Sequence, residues 1–237
     1  RVLAQVVYYF SSAVSVGTPD RKVSFTVPTG NFGDIFAGYI AKRIGLPIDR
    51  LVVATNQNDI LHRCLSGQGY HKGETWPSIS PSMDIQVSSN FERALFDAYD
   101  RDGNEVSQLM DELKQGGFDV SQGAIEVLQS HFDSGRASEE ETSSTITETL
   151  KTSGELLCPH SAIGVKVAND QPASETPMIT LATAHPAKFP DAVEAASGIR
   201  PPLPARMADL YERDERVTRI ANNLDALKDY IKGNIRQ

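Results

Sequence analysis

The sequence predicts an α/β protein whose mainly parallel sheet is flanked by helices, and three stretches predict it. Residues 22–28 (KVSFTVP) alternate, with Val23, Phe25 and Val27 on one side, which is a strand pattern. A glycine-containing turn, an apolar helical pattern and a second apolar run at 51–54 follow. That order is a βαβ unit, and two strands joined through a helix pair in parallel. Late in the chain, 178–182 (MITLA) reads as another buried apolar strand.

Element by element, the chain opens on Arg1 with Val2, Leu3, Val6, Val7 and Phe10 at helical spacing and no capping residue before them. A helix already under way reads as a cut end, so the chain is expected to be the C-terminal part of something longer. After the first strand comes the turn 29–34 (TGNFGD), then a helix carrying Ile35, Phe36, Tyr39, Ile40 and Ile44, stopped by Gly45 and Pro47. Residues 56–59 cap a helix with Ile60, Leu61, Cys64 and Leu65. The stretch 67–81 is a Gly/Pro/Ser-rich loop around Trp76, and 84–87 reads as a short strand. Residues 88–90 cap a helix bearing Phe91, Leu95 and Phe96 that ends near Asp102 and Gly103. Residues 104–152 read as helices with polar faces, Ser138 and Glu141 standing at capping-box spacing. Ser161 is expected to cap a short helix reaching Ala168, 169–177 is loop, and a helix follows over 187–196. The stiff run 200–204 (RPPLP) leads to helices over 205–213 and 222–233.

Composition excludes several classes of function. The 237 residues carry 23 Lys+Arg against 31 Asp+Glu, a net charge of −8. That sign opposes a nucleic-acid groove and attraction to anionic lipid. Two cysteines, Cys64 and Cys158, allow neither a disulfide scaffold nor a four-thiolate zinc site. No apolar run approaches the roughly 18 residues of a membrane-spanning helix, and without a basic stretch leading into an apolar one no secretory signal is expected. The expectation is a soluble protein of the reducing cytoplasm, long enough to bury about 70% of its unfolded surface.

The strongest chemical feature is the turn after the first strand. A strand running through Gly30, Asn31, Phe32 and Gly33 into a helix can aim several backbone N–H groups at one anion, and the helix dipole adds to the attraction. The same pattern also serves an ordinary βα turn in which glycine relieves strain. It is neither a Walker A loop nor a dinucleotide fingerprint. Thr183 stands just past a strand, where α/β sheets present ligands, though a residue there also caps helices. None of the five histidines has a zinc-ligand spacing with another His or Cys, so no metal is expected. No Gly-x-Ser-x-Gly elbow supports a hydrolase triad. Cys158, with Pro159 and His160 beside it, is either a reactive thiolate or a small packed residue.

Four blocks carry a resemblance: 27–34 (VPTGNFGD), 53–61 (VATNQNDIL), 82–85 with 88–93 (SMDI and SSNFER), and 181–190 (LATAHPAKFP). Their order and wording resemble the C-terminal half of threonine synthase, bacterial and fungal type, a pyridoxal-phosphate (PLP) enzyme of fold type II. The resemblance implies that Gly30, Asn31, Phe32 and Gly33 bind the cofactor phosphate and that Thr183 bonds the pyridine nitrogen. It implies conversion of O-phosphohomoserine and water to threonine and phosphate, with Arg93 and Lys188 as candidate cations for the substrate's phosphate. The Schiff-base lysine lies upstream in the family and has no counterpart here, so no catalytic residue is assigned and Lys188 does not take that role. Cys158 stands where the family more usually has aspartate. The implied organisation is 1–103 as the phosphate-loop part of the cofactor domain, 104–153 as a helical excursion, 154–199 completing that domain, and 200–237 as C-terminal helices. The implied partner is the N-terminal half of the same enzyme, without which the chain is expected to be inactive. A threonine-synthase-like phospho-lyase and a non-catalytic assembly module are the alternatives.

Overall fold

The computed structural model describes residues 1–235. They form two compact units, Arg1–Pro202 and a second that starts at Leu203. In the first unit, all six residues of strand β1 (Val23–Pro28) are buried. A strand covered on both faces needs no polar side. Val23, Phe25 and Val27 join a core cluster with Val6, Tyr9 and Ala13 of helix α1 (Val2–Ser15) and Ile35 and Ala37 of helix α2 (Gly33–Arg43). Strand β2 (Ile48–Thr55) alternates between faces: Leu51 and Val53 join that cluster, while Val52 and Ala54 meet Ile163 and Val167 of helix α8 (Pro159–Asn169). α2 starts after Phe32, carries Asp34 in its first turn and Lys42 and Arg43 in its last, and so complements its own dipole at both ends.

The main sheet has the order β5-β2-β1-β6, with β5 (Phe132–Arg136) and β6 (Met178–Thr180) at its edges. Every pairing is parallel, with Thr26 opposite both Val52 and Thr180 and Leu51 opposite Phe132. From β1 the chain moves to β2 and β5 on one side and then returns to β6 on the other. The loops leaving β1 and β6 therefore diverge, and the crevice between them lies at the carboxyl ends of both strands.

Six other helices and a small antiparallel pair complete the described part of the first unit. Helix α3 (Ile60–Leu65) buries Ile60, Leu61, Cys64 and Leu65, as its pattern predicts. Strands β3 (Tyr70–His71) and β4 (Gly117–Phe118) pair with each other. Helix α4 (Phe91–Ala98) is followed by α5 (Gly103–Gln115), whose first amides bond the Asp102 carboxylate. Helix α6 (Gln122–His131) is capped by Ser121. Helix α7 (Glu139–Ser153) has the predicted capping box, with Glu141 N–H donating to Ser138 Oγ at 3.2 Å and Ser138 N–H to Glu141 Oε2 at 2.9 Å. Helix α9 is Pro190–Ser197.

Within the first unit the structure corrects the sequence reading of several elements. β5 lies inside 104–152, read as all helix; its sequence FDSGR has one large apolar residue, because an edge strand needs little burial. Residues 84–87 are not a strand, since Asp84 N–H and Ile85 N–H are spent on the local carbonyls of Pro81 and Met83. β6 is shorter than 178–182 and only half-buried, again as an edge. Cys158, not Ser161, caps α8, its sulfur accepting from Ser161 N–H at 3.4 Å. On α1 the buried face is Val6, Tyr9 and Ala13, while Leu3 and Val7 are exposed.

The second unit holds two 3-10 turns, Ala205–Met207 and Leu210–Glu212, in place of the helix predicted over 205–213. Its helix α10 (Leu224–Asn234) is capped by the Asn223 side chain. Among the described residues, no helix is long and apolar enough to cross a membrane.

At Gly38, α2 packs closely against Tyr9 of α1 and Leu51 of β2. A methyl group there would lie 2.5 Å from the Tyr9 ring and 2.9 Å from Leu51. Alanine gains up to about 1 kcal/mol in helix propensity, but overpacking costs about 1–3 kcal/mol. Gly38→Ala is therefore expected to lower the urea midpoint of unfolding, and an unchanged midpoint would mean that α1 shifts freely.

Candidate functional site

A cleft of about 400 Å³ opens at the carboxyl ends of β1 and β6, lined by Gly30, Asn31, Asp34, His160, Thr183 and Lys188 among others. Its floor is the turn after β1. Thr29 N–H bonds Ala54 carbonyl at 2.8 Å and its hydroxyl bonds Val27 carbonyl at 2.6 Å, which locks the turn to the strand ends. The turn's carbonyls are then occupied. Gly30 carbonyl accepts from Ser88 Oγ at 2.7 Å, and Asn31 carbonyl accepts from Asn90 N–H at 3.0 Å and Asn90 Nδ2 at 2.9 Å. The Asn31 side chain accepts from Gly33 N–H at 2.9 Å. Among the described residues, the amides of Gly30, Asn31 and Phe32 have no acceptor.

Phe32 makes the geometry possible. Its φ of 63° is left-handed, an unfavourable state for a bulky residue. Full burial of its ring, edge-on to Phe91 at 5.1 Å and to Phe132 at 5.3 Å, offsets that strain. Successive amides that pass through a left-handed residue into a helix start form an anion-binding concavity. Gly30 is walled by the Ser82 carbonyl, which a methyl group at Gly30 would approach to 2.7 Å. That carbonyl is held by a polar cluster: Asp84 Oδ1 accepts from Asn56 Nδ2 at 2.8 Å, Asn58 Nδ2 at 2.9 Å and Ser78 Oγ at 2.6 Å.

The opposite side comes from the residues after β6 and from α8. Thr183 N–H donates to Ser161 Oγ at 3.1 Å, and its hydroxyl lies 3.9 Å from Cys158 Sγ. His160 Nε2 accepts from Ser82 N–H at 3.2 Å, and its ring packs 4.6 Å from that of Phe189. Burial, then the Lys188 charge, push the imidazole down to about 4. It is neutral near pH 7, with Nε2 as acceptor, so its proton sits on Nδ1. Asp34 lies at the cleft with Oδ1 buried and unpartnered, and burial pushes its carboxyl up to about 6. Cys64 is remote from the cleft and burial raises its thiol to about 12, so it is packing.

The structure therefore brings Gly30, Asn31, Thr183 and Lys188 to one cleft, with Phe32 and Gly33 forming the buried base of the turn. It does not bring Arg93 there. That side chain lines a different groove with Phe36 and Tyr39 and is bonded to Ser89 carbonyl and Glu92. Sequence reasoning missed Asp34, Gln5 and Tyr8 as cleft residues. Gln5 and Tyr8 carried only a faint signal, being polar groups three apart in the apolar N-terminal half of α1.

Comparison with known proteins agrees on one family. The family model for the C-terminal region of threonine synthase matches residues 161–231. The chain is 53% identical to threonine synthase of Pseudomonas aeruginosa over 98% of its own length and 50% of that protein. It is 36% identical to human threonine synthase-like 2 over 92% of the chain and 47% of that protein. The PLP-bound threonine synthase of Brucella melitensis superposes with a TM-score of 0.93 and 54% identity, covering all of this chain and 51% of that one. Yeast threonine synthase superposes at 0.84 with 38% identity, covering 98% and 51%. The chain thus spans about half the length of the curated relatives it matches.

The two shifted groups at the cleft make stability depend on pH with opposite signs. Asp34 titrates at about 6 in the fold against 3.8, so its contribution is full below about 4 and falls as pH rises to about 6. His160 titrates at about 4 against 6.5, so its contribution is present above 6.5 and lost as pH falls to about 4. His62 and His131, also depressed by burial, act with His160. Asp34→Asn is expected to raise stability at pH 7 by about 2 kcal/mol and to steepen the rise between pH 4 and 6.5. Urea titrations at several pH values check this, and equal stability at pH 7 would mean that Asp34 is not penalised.

Proposed function

The chain belongs to the threonine synthase family, matching the C-terminal half of its members, and we propose that it forms the phosphate-holding half of a PLP-dependent threonine synthase. One observation carries the reading: the three unpaired amides of Gly30, Asn31 and Phe32, walled by the Ser82 carbonyl, share a cleft with Thr183. The fit to PLP is supported by chemistry. A phosphate needs converging N–H donors and close backbone approach, and any side chain at position 30 would fill that space. The amides of Gly30, Asn31 and Phe32 would hold the phosphate, with Gly33, whose own amide is bonded to Asn31 Oδ1, opening the helix beneath it, and the Thr183 hydroxyl would hydrogen-bond the ring nitrogen. When bound, PLP supplies an electron sink for charge developing on the amino-acid substrate.

The chain's own residues do the rest of the positioning. Lys188, exposed at the cleft, would attract the phosphate of O-phosphohomoserine, while Arg93 is turned to another groove. Neutral His160 holds Ser82, and with it the wall beside Gly30. The lysine that holds and releases PLP in this family would come from an N-terminal half of the same enzyme. The exposed apolar stripe of Leu3, Val7 and Val14 along α1 supports a covering partner. We place the assembled enzyme in the cytoplasm.

The test mixes this chain with the N-terminal half of the Pseudomonas aeruginosa relative, PLP and O-phosphohomoserine. The expected result is threonine and phosphate from the pair and neither from either piece alone. A 2-keto acid in place of threonine would assign a phospho-lyase instead. Steady turnover by this chain alone would overturn the division of labour. In the active pair, Thr183→Val is expected to weaken PLP binding about tenfold, the worth of one well-placed hydrogen bond.

A further inference from the structure

Two buried side chains behind the cleft and Thr183 on its surface form a chain of polar contacts. Cys158 and Ser161 are buried, and Cys158 Sγ lies 3.3 Å from Ser161 Oγ and 3.9 Å from Thr183 Oγ1. Two further bonds involve backbone donors. Ser161 N–H gives to Cys158 Sγ at 3.4 Å, and Thr183 N–H gives to Ser161 Oγ at 3.1 Å. Beside them His160, a cleft-lining imidazole only 5% exposed, has an Nδ1 with no partner among the described residues.

The hydrogens of this chain can run in two directions, because a thiol and a hydroxyl both donate and accept. In one, Ser161 donates to sulfur, the thiol donates to Thr183 Oγ1, and the Thr183 proton is free to point at the ligand. In the other, the thiol donates to Ser161, Thr183 donates to sulfur, and Thr183 can only accept from the ligand. A carboxylate at position 158 would be acceptor-only, so both hydroxyls would donate to it and Thr183 would be held in the accepting sense. Resting on the PLP reading above, we propose that Cys158 is a positioning residue that leaves Thr183 able to donate to an unprotonated ring nitrogen. The residue at 158 thereby sets the protonation of that nitrogen, and with it the strength of the electron sink.

The probe is 4′-deoxypyridoxine 5′-phosphate, which keeps the phosphate and ring nitrogen but has no aldehyde to react with lysines. Its binding to the chain and the ring-nitrogen pKa of the bound form are read by ultraviolet titration. Cys158→Asp is expected to raise that pKa by about one unit or more, since the nitrogen must now donate. Cys158→Ser, which keeps both senses, is expected to match the wild-type chain. In a Thr183→Val background the Asp effect should vanish. Equal ring pKa values in the wild-type, Ser and Asp chains would overturn the inference, as would an Asp shift that survives Thr183→Val. Should the Asp variant fail to fold, affinity decides: Cys158→Ala binds about fivefold more weakly and Ser restores binding, and equal affinities overturn the inference. Failure of the wild-type chain to bind the probe would instead overturn the PLP reading itself, and this inference with it.

Discussion

Strand β1 is buried along its whole length and paired in parallel on both edges, and that double pairing governs what happens at its carboxyl end. A strand held this way cannot slide, because a one-residue slip would turn Phe25 and Val27 away from the core that α1 and α2 complete. Its last residue is therefore delivered to one place. Thr29 then ties the chain to β2 through the Ala54 carbonyl, and the Gly30 turn begins beside the end of β6. Parallel pairing of β1 with β6 puts Thr183 at the same end of the sheet as Gly30. An antiparallel β6 would have sent it to the other end.

The cradle needs a wall as well as a floor. The Asp84 carboxylate gathers donors from Asn56, Asn58 and Ser78, and these bonds hold the loop that carries Ser82. Hydrogen bonds to a charged acceptor are stronger than neutral ones, roughly 1.5–3 kcal/mol each. An otherwise irregular stretch is thus rigid where it meets Gly30. The segment Asn56–Asn58, which follows β2 directly, is in this sense part of what holds the Gly30 turn without touching the cleft.

The two sides of the cleft differ electrically in a way that suits the proposed cofactor. The turn offers backbone amides and a helix start, which favour an anion. The α8 side offers a neutral imidazole, a thiol and two hydroxyls, which favour a neutral heteroatom. Lys188 supplies a cation at the rim, and the half-buried Asp34 is discouraged from ionising. One end of a bound molecule is thereby directed to the turn and the other to Thr183.

By itself the sequence determined the local elements and the chemistry of the turn. Alternation in KVSFTVP, the glycine stop after α2 and the Ser138–Glu141 cap are short-range effects, and they appear in the structure as read. Of the four family blocks, 27–34, 82–85 and 181–190 supply residues that line the cleft. The tertiary structure decided what depends on neighbours far along the chain. FDSGR is a strand only because β2 offers it an edge, and residues 84–87 fail to be one because the Asp84 network takes the loop elsewhere. Arg93 and Lys188 looked alike in sequence, yet only Lys188 follows β6 into the crevice, while α4 carries Arg93 away. Cys158 gained its meaning only when α8 was laid against the end of β6. Short-range preferences act through adjacent residues and can be read in order, whereas a site assembled from both sides of a switch point exists only after the sheet has formed.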